Sequence, residues 1–218
     1  MRILHISDTH AEGETMRQLE HLAQKLKDCE VVACTGDCIS TNTNKVPESW
    51  NKWPQRLKLL VPGNHGDTPQ TFVYLTKWTT NVPWYRTDGE ISFIGLNYCR
   101  AFREQLEELA PAFERRSQAV VVLSHMWPSE TQAKLLAAKL RKFFSRRPIL
   151  YLHGDNHSLG AHWDQQAKLD DLPCCRSNII SSATGNRGVA HLITWSGREF
   201  TCKRQPGFPL NAILPEAE

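Results

Sequence analysis

The 218-residue sequence predicts an α/β protein in which two sheets pack together and helices flank them. Three observations predict this. Short apolar runs with the look of buried strands recur along the chain, and amphipathic helical patterns lie between them. The first strand, helix and second strand follow one another in so short a span that a parallel crossover is the natural connection. After residue 157 the strand-like runs continue with no helix between them, which predicts mostly antiparallel pairing there and therefore mixed sheets.

Taken in order, Ile3–Ser7 reads as the first strand and ends at Asp8-Thr9-His10. Glu14–Lys27 carries Met16, Leu19, Leu22, Ala23 and Leu26 at helical spacing. Val31–Cys34 is a second strand, ended by Gly36-Asp37, and residues 40–45 form a polar loop. Pro47–Trp53 reads as a short helix stopped by Pro54, and Leu57–Val61 as a third strand that runs into Pro62-Gly63-Asn64-His65. Phe72–Trp78 reads as another short helix, Asp88-Gly89 as a turn and Ile91–Asn97 as a strand. Phe102–Arg116 has a helical pattern with an expected break at Pro111. Ala119–Leu123 is a wholly apolar strand ending at Ser124-His125. Glu130–Phe144 is a clear helix with Leu135, Leu136, Leu140, Phe143 and Phe144 on its apolar side, and Ile149–Leu152 is a strand ending in His153-Gly154-Asp155-Asn156-His157. The last strands are expected at residues 159–163, 178–182, 189–195 and 199–204, with turns at Gly185-Asn186 and Ser196-Gly197. Residues 1–204 are expected to form one domain, and residues 205–218, with three prolines, an irregular tail.

Composition excludes some classes and leaves others open. Hydrophobic content of 40%, charged content of 22% and a formal charge of +3 are those of an ordinary globular chain. No apolar run approaches the ~18 residues needed to cross a membrane. Met1-Arg2 leads directly into the first strand, so no signal peptide is expected and the expected location is the cytoplasm. The seven cysteines have no regular spacing. Cys29, Cys34, Cys38, Cys99 and Cys202 lie in or beside apolar runs as small hydrophobic residues, and Cys174-Cys175 fall in an expected loop.

Five strand ends carry the chemistry: Asp8-Thr9-His10, Gly36-Asp37, Gly63-Asn64-His65, Ser124-His125 and Gly154-Asp155-Asn156-His157. Residues at the carboxyl ends of strands are where α/β proteins build their sites. Each pattern alone is common in turns and cores, but their joint occurrence at successive strand ends is not. Asp8, His10, Asp37, Asn64, His65, His125, Asp155 and His157 offer carboxylates, imidazoles and one amide, with no thiolate. Such a set suits Mn²⁺, Fe or Zn²⁺ better than a thiolate-seeking metal. It exceeds the needs of one ion. Two ions sharing one carboxylate would use seven of these groups and leave one histidine free. A dinuclear centre polarises a phosphoryl oxygen and generates a metal-bound hydroxide as nucleophile, and a free histidine can protonate the leaving group.

In this order the motifs resemble the calcineurin-like metallophosphoesterase superfamily, a resemblance that extends from Ile3 to about Arg204. It implies a four-layer αββα sandwich of two mixed sheets flanked by helices, with a two-metal centre. It implies that Asp8, His10 and His157 hold one metal, that Asp37 bridges, and that Asn64, His125 and Asp155 hold the other. It gives His65 the role of general acid, and makes Asn64 and His65 contacts for the substrate phosphate. The proline that follows His125, at Pro128, also resembles the family. Two departures stand out. Asp155 occupies a position where the family usually has histidine, with His153 as a substitute ligand in reserve. Gly66 intervenes before Asp67, where many relatives carry an acidic residue that could orient His65. Three carboxylates around two ions are expected to favour Mn²⁺, with Mg²⁺, Fe or Zn²⁺ as other candidates.

The expected activity is therefore metal-dependent phosphoester hydrolysis, with phosphodiesters placed ahead of monoesters and a small phosphate ester or nucleotide as substrate. The alternatives are a nuclease of the same chemistry, and a non-catalytic scaffold, which has no need of a complete ligand set. Arg115-Arg116, Arg141-Lys142 and Arg146-Arg147 could follow a nucleic-acid backbone, although cations at helix C-termini also complement the helix dipole. Thr41, Asn42, Asn44, Trp84, Tyr85 and Arg86 lie near enough to Asn64-His65 in sequence to be candidate substrate contacts, and the resemblance adds Asn186 and Arg187, since relatives often have a loop there that faces the metals; surface or packing roles are the alternative for each. His5, His162 and His191 are expected to be structural, and His21 to lie at the surface or its boundary.

Overall fold

The computed structural model describes residues 1–10, 13–38, 48–65, 72, 75–113, 116–126, 128–155, 162–169, 172–176 and 190–205. Along the chain these form β1 (Arg2–Ile6), α1 (Gly13–Lys25), β2 (Val31–Cys34), β3 (Leu57–Leu60), β4 (Trp84–Asp88), β5 (Ile91–Gly95), α2 (Phe102–Leu109), β6 (Ala119–Leu123), α3 (Glu130–Phe144), β7 (Ile149–His153), β8 (His162–Leu169), β9 (Leu172–Arg176), β10 (His191–Trp195) and β11 (Phe200–Arg204).

The strands build two mixed sheets. One has the order β11-β10-β1-β2-β3 and the other β4-β5-β6-β7-β9-β8. β1, β2 and β3 run parallel, as do β5, β6, β7 and β9. The fold is thus the α/β arrangement of two mixed sheets with flanking helices that the strand and helix pattern predicts.

Alternation along each strand creates the layers. In β1, Ile3 faces the space between the sheets while Leu4 and Ile6 face α1. In β6, Ala119, Val121 and Leu123 face the other sheet while Val120 and Val122 face α2 and α3. The strands are apolar on both sides because both sides are covered. A central inter-sheet core is thereby flanked by two outer cores. The outer core over the first sheet adds Trp50, Trp53 and Trp78, whose rings lie 4.8–5.9 Å apart, to Leu19, Leu22 and Ala23 of α1. α3 begins with a capping box in which Ser129 and Gln132 satisfy each other's backbone N–H groups.

Several expectations are corrected. Of the helix expected over Phe72–Trp78, residues 73–74 lie outside the described residues, and the described ones make short turns closed by Leu75 N–H to Phe72 O (2.8 Å) and Trp78 N–H to Leu75 O (2.9 Å). Two other expectations hold: the short helix expected over Pro47–Trp53 is a 3₁₀ helix over Glu48–Lys52, and at the break expected at Pro111 α2 ends at Leu109 before a 3₁₀ turn over Ala110–Ala112. Trp84–Asp88, for which no strand was expected, is an edge strand antiparallel to β5. Cys174 and Cys175 lie in β9, paired with Tyr151 and Leu152 of β7, and not in a loop. β7 and β9 are parallel, so the late strands are antiparallel only in part. The reason is that the β8–β9 hairpin docks by its second strand, β9. The strand expected at 178–182, the turn at Gly185-Asn186 and the tail over 206–218 lie outside the described residues.

Trp50 is fully buried at the centre of its ring cluster. Trp50→Ala should lower unfolding free energy by about 3–5 kcal/mol, measured by denaturant titration.

Candidate metal centre

The parallel strands of both sheets end at the same edge, and the motif residues follow those ends. Backbone hydrogen bonds continue beyond the strands and tie the ends together. Asp8 N–H donates to Gly36 O (3.0 Å), His10 N–H to Asp37 O (2.9 Å) and Gly154 N–H to His125 O (2.8 Å). Asp8, His10, Asp37 and Asp155 all have positive φ, at 53°, 37°, 51° and 72°. Side chains at such positions are strained by roughly 1–3 kcal/mol each and persist only where surroundings force them. Here the chain turns sharply at each strand end and the side chains converge.

The carboxylate of Asp37 is central. Its Oδ2 lies 3.4 Å from His125 Nε2 and 3.8 Å from both His10 Nε2 and His65 Nε2, and its Oδ1 accepts the His65 N–H at 3.0 Å. Asp8 accepts the Asp155 N–H at 3.1–3.2 Å. Asp155 Oδ1 lies 3.8 Å from His125 Nε2, and Asn64 Oδ1 lies 2.8 Å from the same nitrogen. Seven of the eight motif side chains are therefore gathered at one place. The eighth, His157, lies outside the described residues, as do Thr41, Asn42, Asn44, Asp67, Asn186 and Arg187.

Burial grades across the site. Asp8, Asp37 and His125 are fully buried, Asp155 is partly exposed, and His65 is half exposed. His125 Nδ1 contacts Thr35 O at 2.7 Å. Donation to that carbonyl orients the ring so that Nε2 faces the carboxylates. Burial would by itself lower the His125 pKa, but the hydrogen bond and charge of Asp37, the charge of Asp8 and the Thr35 carbonyl push it up to about 9. Burial would likewise raise the Asp37 pKa, yet the His125 hydrogen bond and charge, the His65 N–H and His10 hold it below the usual carboxylate range.

These groups fit divalent cations. Ligating atoms of Asp8, His10 and Asp37 lie within 4.8 Å of one another, and Asn64, His125 and Asp155 adjoin them through Asp37 and His125. The donors are oxygen and imidazole only, and three carboxylates converge with little solvent to screen them. Two glycines keep the space clear. A Cβ on Gly63 would strike Asp37 Oδ1 and backbone, and a Cβ on Gly154 would strike Ser7 Oγ and Asp8 Oδ2.

Other candidates take other places. His153 is buried and stacks on Tyr151 (5.8 Å). His5 and His191 are buried neighbours across β1 and β10. Burial foremost, then the nearby His191 and His153, lowers the His5 pKa well below its ordinary value. Trp84 is buried and donates to Leu60 O (3.1 Å), and Tyr85 bonds Ser92 (2.7 Å), so both are packing residues; Arg86 is exposed. Sequence reasoning missed Thr35 and Tyr98. Thr35 sits directly before Gly36-Asp37. Tyr98 meets the His125 ring edge-on at 5.9 Å and follows β5, a sixth strand end at the same edge. That parallel strand end was the signal available.

The fold and its carboxylate–imidazole cluster define an α/β protein with a candidate metal centre. A family model for calcineurin-like phosphoesterases matches residues 1–172, and the chain belongs to that family. The family is one of metal-dependent phosphoesterases that typically bind two divalent ions. No curated protein matches the chain significantly. A 5'-nucleotidase from Candida albicans SC5314 superposes with TM-score 0.55 at 13% identity over 93% of this chain, which spans 50% of that one. A novel archaeal phosphodiesterase superposes with TM-score 0.53 at 13% identity over 94% of this chain and 100% of that one. At these identities the likeness concerns the fold. Among the described residues no helix is long and apolar enough to cross a membrane.

Gly63→Ala should bind markedly less divalent metal than wild type, read by elemental analysis after metal loading, because the new Cβ displaces Asp37. A second expectation concerns pH. The raised His125 pKa means that its proton stabilises the metal-free fold fully below about 6.5. That stabilisation is lost as the pH rises through about 9. Metal-stripped protein should lose denaturant resistance across this window, and His125→Asn should flatten the decline. A flat wild-type profile would refute the His125–Asp37 pairing.

Proposed function

We propose that this chain is a metal-dependent phosphoesterase that hydrolyses phosphodiesters ahead of monoesters, with His65 as general acid. The observation that carries the reading is the gradient of exposure around Asp37. Fully buried ligands lie behind it, and a half-exposed imidazole, His65, stands at its mouth 3.8 Å from the shared carboxylate. Asn64 and His65 form the exposed part of the site, and an imidazole there can reach an arriving ester and give it a proton.

In this reading Asp8, His10 and His157 hold one ion, Asp37 is shared, and Asn64, His125 and Asp155 hold the other. When bound, the ions polarise the phosphoryl group and supply an activated water. Asn64 and His65 contact the phosphate, and His65 delivers the proton to the departing oxygen. The third carboxylate, Asp155, favours Mn²⁺ over softer ions. The substrate is a small phosphate ester or a nucleotide. A nuclease reading has less support. Arg116, Arg146 and Arg147 precede β6 and β7, and Arg141 and Lys142 end α3, so these cations sit at the amino edge of the strands, opposite the site. There they cannot follow a strand of nucleic acid through it.

Metal-stripped protein should turn over bis(p-nitrophenyl) phosphate when Mn²⁺ is restored, and faster than p-nitrophenyl phosphate. His65→Ala should retain bound metal but lose about 10²–10⁴-fold in kcat. Near-normal turnover by His65→Ala would remove the acid role, and stoichiometric Zn²⁺ as the active metal would overturn the Mn²⁺ preference.

A further inference from the structure

The sixth strand end opens onto a cavity of about 260 Å³ beside the metal centre. Its walls include Gly63, Phe72, Thr80, Asn81, Asn97 and Tyr98. Two of these link it to the centre. Gly63 directly precedes Asn64 and His65, and the Tyr98 ring abuts the ring of His125. An ester whose phosphate lies at Asn64 and His65 would therefore extend its organic group into this space.

The lining is specific in kind. Among the described residues it contains no Lys, Arg, His, Asp or Glu. A second phosphate, a carboxylate or an ammonium group would find no counter-charge among them. It does contain aromatic rings and neutral hydrogen-bonding groups: Phe72 and Tyr98, the amides of Asn81 and Asn97, and the Thr80 hydroxyl. Rings that stack, together with amides that both donate and accept, are the means by which proteins hold nucleobases. The volume is below the ~300–1,000 Å³ of pockets that enclose a whole drug-sized ligand, so it suits a single ring system.

The wall is also held in place. Gln105 of α2 is fully buried. Its Oε1 accepts the Asn97 N–H (2.7 Å), and its Nε2 donates to Asn97 O (2.8 Å) and Arg100 O (3.1 Å). Asn97 Oδ1 in turn accepts the Cys99 N–H (2.9 Å), which leaves Nδ2 as the donor that this residue can offer. A buried glutamine spent on one short loop is the support that a recognition loop needs.

We propose that this cavity is the specificity pocket of the enzyme and takes the uncharged nucleobase of a nucleotidyl phosphoester. The proposal rests on the phosphoesterase reading above and adds the substrate class to it. It makes Tyr98 the stacking residue, Asn81 and Asn97 the edge-reading residues, and Gln105 a positioning residue.

The test compares two chromogenic diesters on Mn²⁺-loaded protein: bis(p-nitrophenyl) phosphate and the p-nitrophenyl ester of thymidine 5′-phosphate. The nucleotidyl ester should be preferred in kcat/KM, chiefly through KM. Tyr98→Ala and Asn97→Ala should each reduce that preference about tenfold. A parallel measurement needs no turnover. Saturation-transfer NMR on metal-free protein should detect thymidine and adenosine at the pocket, with the signal lost in Tyr98→Ala and weakened in Gln105→Leu. Equal kcat/KM for the two esters in wild type, or nucleoside signals unaffected by Tyr98→Ala, would overturn the pocket assignment while leaving the phosphoesterase reading intact. No hydrolysis of either ester with any divalent metal, combined with Tyr98-dependent nucleoside binding, would overturn the phosphoesterase reading and keep the pocket.

Discussion

The Asp37 carboxylate is a negative charge with almost no access to water, placed where the two sheets meet. Removing a charge from water costs several kcal/mol unless it is compensated in place. The compensation comes from three other stretches of chain: the His65 N–H, the His125 ring and the His10 ring. None of these can move far without exposing or stranding the charge. The relative placement of β1, β2, β3 and β6 is therefore coupled to the electrostatics of one side chain. Resident cations of opposite charge would strengthen the same arrangement, which is why the donors can stay crowded.

The strained turns follow from this demand. Among the described non-glycine residues, positive φ occurs at Ser145 and at four motif positions: Asp8, His10, Asp37 and Asp155. Aspartate is among the residues that adopt this conformation with least difficulty. Each turn is braced by a backbone hydrogen bond to another strand end, so the sheets hold the conformations that the site requires. Strain of this kind is characteristic of functional sites on rigid frames.

The two edges of the sheets have different character. The carboxyl edge is acidic at its centre and opens beside that centre into a neutral, aromatic-lined cavity. The amino edge carries the arginines that precede β6 and β7, where Arg147 also packs over the Phe144 ring (5.6 Å).

Much of this was legible in the chain. Val120 and Val122 alternate with Ala119, Val121 and Leu123 in a run too apolar for anything but a doubly covered strand, and the ends of such strands carry Asp, Asn and His in one order. Local periodicity was enough for β1, β2, β3, β6, β7, α1 and α3, because each is dictated by burial on its own faces. It was not enough where pairing decides the structure. Trp84–Asp88 has no clean alternation and becomes a strand only because β5 offers an edge. Leu172–Arg176 contains Pro173 and two cysteines and is a strand because β7 on one side and β8 on the other supply hydrogen bonds. The candidate metal centre divides in the same way. The sequence by itself determined which side chains could bind metal, since that is a matter of residue type and strand-end position. Only the tertiary structure decided that Tyr98 would lie against His125, that Thr35 would orient that ring, and that a buried Gln105 would hold the cavity wall. Those contacts join residues about 27, 90 and 8 positions apart through the packing of two sheets and a helix, and no local pattern in the chain encodes such distances.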